Sequence, residues 1–158
     1  MKRYATLLLI PLLGLGMTFT TGCGGSNAPS PQTIKLIFTT ATTTFEAAMI
    51  IAAPNWNSGK YVADVNAVVA AWQVGANWKQ NVANVLLPAV IADAKDIPGC
   101  TGKCPALVQV FTSGAQSVIA ELLSPSTAGV MAPYKTYEAY RADWNSVAPP
   151  EAQLAEGF

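Results

Sequence analysis

The chain has 158 residues, nine basic and nine acidic side chains, no histidine and three cysteines. Without histidine there is no Ser-His-Asp or Cys-His nucleophile, no imidazole acid or base and no histidine metal site. Zero net charge lacks the basic footprint of a nucleic-acid binder, so no nucleic-acid partner is expected, and a charged fraction of 11% is unlike a charged disordered tail.

Lys2 and Arg3 open the chain as a short positive region, and Leu7 to Phe19 follows without a charge. Thr20-Thr21-Gly22-Cys23 closes the apolar run with small residues, and Gly24 to Pro31 reads as a flexible Gly/Ser/Pro linker. This is the layout of a secretory signal peptide. Thirteen apolar residues fall short of the ~20 needed to span a bilayer as a helix. With the cysteine directly after small residues, the segment resembles a bacterial lipoprotein signal, although Thr20 stands where that family usually has leucine. The resemblance implies that the Cys23 thiol receives a diacylglycerol and that cleavage before it makes Cys23 the mature N-terminus. Gly24 rather than aspartate after the cysteine implies an outer-membrane destination, with the domain facing the periplasm and the membrane as its partner through the acyl chains. Cleavage by an ordinary signal peptidase, leaving a free Cys23, and pairing of Cys23 with another cysteine are the competing readings.

Residues 1–22 carry Lys2 and Arg3, so the remainder holds seven basic and nine acidic side chains and a net charge of −2. Alanine, the strongest helix former, recurs throughout this part. The organisation expected is signal peptide 1–22, lipidated cysteine and linker 23–32, helical domain 33–148 and C-terminal tail 149–158.

Within the domain, Ile34, Ile37, Phe38, Ala41, Phe45, Ala48, Met49 and Ala52 form an i, i+3, i+4, i+7 stripe that predicts a helix over 33–53. The β-branched threonines between 39 and 44 argue against it and leave a strand at 33–40 as the alternative. A second helix is expected from Tyr61 to about Val74, ending at Gly75-Ala76-Asn77. A third spans about Asn77 to Asp96, with Pro88 kinking or splitting it. A fourth runs from Pro105 to Ser124, and a fifth from Pro133 to Val147 before Pro149-Pro150. The fold class is therefore all-α, a small bundle of four to five helices.

Cys100 and Cys104 form a C-x3-C pair in a Gly/Pro-rich turn. In an exported domain the pair is expected as a disulfide, with a reactive dithiol or a metal clip as the alternative. A thioredoxin-like motif needs C-x-x-C, and a metal site needs two further ligands. Tyr134, Tyr137, Arg141 and Trp144 share one face of the last helix, with Tyr140 alongside. Such a face can stack on sugar rings or hold a peptide; the plainer reading makes its rings core and boundary residues. Trp72 and Trp78 fit inward stripes, whereas Trp56 lies in an Asn-Trp-Asn-Ser-Gly turn, where it either packs over the bundle end or contacts a ligand or membrane surface.

Asp93 and Asp96 lie three apart, which suits a solvated helix end better than a cation site. Glu46, Glu121 and Asp143 are the carboxylates for an acid/base pair, though nothing in the sequence brings them together. Ser113 has neither a G-x-S-x-G frame nor a histidine. These observations predict a membrane-tethered, non-catalytic interaction or structural module without cofactor or metal. The alternatives are a small-ligand or carbohydrate carrier and, less well supported, a carboxylate enzyme.

Overall fold

Ser30 opens the first helix, α1 (Pro31–Ala52), in the computed structural model, which describes residues 30–123 and 137–156. Its backbone is extended and its Oγ accepts the Thr33 N–H at 3.1 Å, with proline at the first helical position. The threonine run stays helical because its hydroxyls turn back onto the helix. Thr39, Thr43 and Thr44 donate to the carbonyls of Lys35, Thr39 and Thr40 at 2.8–2.9 Å, and Thr42 donates to Thr39 O at 2.9 Å. These bonds offset the β-branched penalty, and the strand alternative at 33–40 is not adopted.

After Pro54 the chain turns through Trp56 into α2 (Gly59–Ala71), whose start is shaped by Asn57 Oδ1 accepting the Gly59 N–H at 3.1 Å. The helix ends before the expected Val74 because Gln73 takes a left-handed conformation, φ 60°, and Gly75 follows at φ 80°. The third rod is continuous from 78 to 95 but changes its winding: α3 (Trp78–Asn81), a π-helical turn (Val82–Leu86), then α4 (Leu87–Lys95). Pro88 explains the insertion. In a regular α-helix its ring would strike the carbonyl of Asn84. The wider turn, closed by the Leu87 N–H on Val82 O, relieves that clash without splitting the rod.

A tight turn with Gly99 and Gly102 at positive φ leads into α5 (Cys104–Leu123). Cys100 and Cys104 are at bonding distance across it, with Cα atoms 5.3 Å apart. Closing so short a loop contributes about 2 kcal/mol in the chain-entropy account. The last rod is α6 (Tyr137–Val147), followed by a 3-10 turn (Pro150–Ala152). The expected residues 133–136 of this helix lie outside the described residues.

The described residues thus form an all-helical bundle of five rods. Neighbouring rods alternate in direction. Tyr61 Oη donates to Thr42 O at 3.1 Å and Trp72 Nε1 to Pro31 O at 3.1 Å, which sets α2 antiparallel to α1. Lys60 meets Asp93, joining the start of α2 to the end of α4. α5 returns along the third rod and packs against α1. By length and composition α1 and α5 are each apolar enough to cross a membrane, yet both bury a stripe here, Phe38, Phe45 and Met49 in one and Leu107, Phe111 and Val118 in the other.

The segment after Pro149, expected as a tail, is part of the core. Trp144 Nε1 donates to Ala152 O at 2.7 Å, and Asn145 exchanges two bonds with the backbone of Leu154, at 2.9 and 2.7 Å. Ala152 and Leu154 are buried as a result.

Gly114 marks the closest approach of α5 and α6. A Cβ there would lie 2.6 Å from Cε2 of Tyr140. Gly114→Ala should therefore lower stability by about 1–3 kcal/mol, overriding the ~1 kcal/mol that alanine gains in helix propensity. Thermal unfolding followed by circular dichroism checks this, and the loss should shrink in a Tyr140→Ala background.

Candidate functional site

Of the aromatic residues singled out by the sequence, Trp56 and Trp144 meet in one cluster around Phe45. Phe45 stacks on Phe111 with ring centres 4.2 Å apart. Tyr61 lies 5.5 Å from Phe45, Trp56 5.9 Å and Trp144 6.3 Å. Trp56 also contacts Tyr61 at 5.3 Å, so this turn residue packs over the bundle end while remaining partly exposed. A second group joins Phe38, Trp72 and Trp78 at the other end, with Trp72 and Trp78 5.2 Å apart. Trp72 is buried and Trp78 half-buried, in line with their inward stripes.

The face of α6 is divided by depth. Trp144 is fully buried and Tyr140 nearly so. Tyr137 and Arg141 sit at the boundary, where the C-terminal segment covers them. Tyr137 Oη donates to Ala155 O at 3.4 Å, and Arg141 pairs with Glu156 at 3.7 Å. Burial pushes the Tyr137 phenol up, and the nearby Arg141 charge opposes the shift. The face that could have held a peptide thus holds the chain's own residues 152–156, and Trp144 is turned inward rather than offered to a ligand. Tyr134 and Cys23 lie outside the described residues.

Among the described residues no group of three histidine, cysteine, aspartate or glutamate side chains could hold a metal ion. Glu46 accepts a hydrogen bond from Ser58 Oγ at 3.1 Å, bracing the α1–α2 turn. Asp93 is nine-tenths buried and held by Lys60, which also reaches Asp64 one turn along α2 at 3.6 Å. Asp96 stays exposed at the helix end. The Lys60 ammonium is raised above its usual value by the hydrogen bond to Asp93 and by the charges of Asp93 and Asp64, against a smaller loss from desolvation.

Phe45 as a hub, Asn145 as a clamp and Gly114 as a contact point were not singled out by the sequence. Phe45 lies on the apolar stripe read for the first helix, which marks it as inward-facing but not as a hub; Asn145 and Gly114 have no local signature for the contacts they make. Comparison with protein-family models, curated proteins and solved structures finds no match to this chain.

Tyr61 carries a pH prediction. Burial holds its phenol protonated well above the ordinary value of 10.0, with smaller contributions from Tyr140 and Glu46. The folded state therefore keeps a proton that the unfolded chain loses, so this stability is fully present below pH 10 and declines as pH rises. Denaturant titrations should show a loss of about 1.4 kcal/mol per pH unit from this residue above pH 10. The raised Lys60 value acts in the same direction above 10.5. Tyr61→Phe should flatten the slope while costing about 1 kcal/mol at neutral pH for the bond to Thr42 O.

Proposed function

We propose that the protein is a lipid-tethered protein of the bacterial envelope whose helical domain serves as a non-catalytic interaction or structural module. The observation that carries the reading is the run from Lys2-Arg3 through Leu7–Phe19 to Thr20-Thr21-Gly22-Cys23. A diacylated cysteine supplies about 0.8 kcal/mol per buried methylene, and two or more chains make the attachment stable. Gly24 directs the protein to the outer membrane, with the bundle on the periplasmic side. Seven residues separate Cys23 from Pro31, where a capped helix begins at once.

Tyr61, Trp144 and Tyr140 pack the interior, and Tyr137 and Arg141 bind the C-terminal segment. The exposed helix faces are then the surfaces left for other molecules.

Intact mass measurement of protein extracted from bacterial membranes tests the anchor. The expected species begins at an acylated Cys23, and Cys23→Ser should move the protein to the soluble fraction with an unchanged helical circular dichroism spectrum. A mature chain with an unmodified Cys23 overturns the reading.

A further inference from the structure

We infer that the end of the bundle nearest the tether rests on the lipid headgroup surface, with the Trp72–Lys79 connection as its contact. The inference depends on the lipid-anchor reading of Cys23. Seven residues reach at most about 25 Å when fully extended, whereas the 22 residues of α1 extend about 33 Å. Whatever its tilt, the domain keeps the Ser30 end within that short reach of the membrane.

The exit point of the tether and the α2–α3 connection are one place. Trp72 Nε1 binds Pro31 O at 3.1 Å, and Gln32 Nε2 binds Gln73 Oε1 at 2.6 Å. The connection presents Val74, 66% exposed, then Gly75, Ala76 and Asn77, followed by half-buried Trp78 and Lys79. The Lys79 ammonium lies 5.9 Å from the centre of the Trp78 ring. An exposed aliphatic tip beside a tryptophan and a lysine suits the boundary between headgroups and acyl chains. The indole settles at that depth, and the lysine stem lies along it with its ammonium among the phosphates.

Residues 72–79 contain no acidic side chain, and Lys35 lies in the same end of α1, whereas Glu121 in the last turn of α5 and Glu138 in the first turn of α6 are the acidic groups at this end. Leu36, in the second turn of α1, and Leu123, closing α5, add exposed apolar area at the tethered end.

The test uses full-length lipidated protein from membranes, with its N-terminal mass recorded. It is reconstituted into phosphatidylcholine–phosphatidylglycerol vesicles with acyl chains brominated near the headgroup. Tryptophan emission should be quenched relative to unbrominated vesicles. Trp78→Phe should remove at least about half of the quenching, and Trp56→Phe, at the far end, should leave it nearly unchanged. Val74→Asp, on an exposed position that leaves the core intact, should also reduce it about twofold. Acylated protein that shows no quenching, or quenching that survives both Trp78→Phe and Val74→Asp, overturns the docking inference and leaves the anchor standing. An N-terminal mass without acyl chains overturns both.

Discussion

The stacking of Phe45 on Phe111 joins the two long helices, α1 and α5, at ring centres 4.2 Å apart, and the remaining elements pack around that pair. Tyr61 brings in α2, Trp56 the turn before it and Trp144 the last helix, all within 6.3 Å of the Phe45 ring. Five chain segments therefore share one side chain. Truncating a buried phenylalanine typically costs about 3–5 kcal/mol, comparable with the whole stability of a small domain. Here the cost would fall on four rods at once, α1, α2, α5 and α6. The bond from Tyr61 Oη to Thr42 O allows the polar ring to sit this deep, since an unpartnered hydroxyl there would lose its hydration without compensation.

A domain with so few charges has to satisfy its polar groups by other means. α1 and α5 do so within themselves. Hydroxyls of Thr39, Thr42, Thr43 and Thr44 in α1, and of Thr112 and Ser117 in α5, donate to carbonyls three or four residues back. Buried Thr42 and Thr112 therefore carry no unsatisfied donor, and exposed Thr39 and Thr43 commit their hydroxyl protons to the helix. Among the described residues these same two helices are the ones long and apolar enough to cross a membrane, and in the bundle they pack against each other. Alanine and glycine contribute by allowing close approach, most sharply where Gly114 leaves space for the Tyr140 ring.

The helices themselves were legible because their signal is periodic. The apolar stripe of α1 and the Gly75 break are local signals, and each marks the expected element, with α2 ending at Ala71. Pro88 announced a disturbance of the third rod, and the form it takes is a π-helical turn that keeps the rod continuous. What escaped depended on partners distant in sequence. The prolines at 149 and 150 suggested an exit from the fold, yet the reciprocal Asn145–Leu154 bonds return the chain to the core. Nothing near Asn145 in sequence marks that pairing. The aromatic face of α6 was legible as a face, and its sense was decided by depth: Trp144 inward, Tyr137 and Arg141 at the edge.

The same depth ordering bears on function. An aromatic and guanidinium face free in solution would be a general-purpose recognition surface, but occupation by a covalently attached segment changes its thermodynamics. Residues 150–156 are always at high local concentration, so an outside peptide would have to displace contacts that cost almost no translational entropy to form. Leu154 in the core and Trp144 Nε1 on Ala152 O make that displacement more costly than releasing a surface strap. The two ends of the bundle are not equivalent. One end carries the disulfide turn and the Lys60–Asp93 pair, and the other carries the start of α1 joined to the Trp72–Trp78 connection. On the lipid anchor proposed at Cys23, a tether leaving from the second end would give the bundle a direction, with the Trp72–Trp78 connection toward the anchor and the Cys100–Cys104 turn away from it.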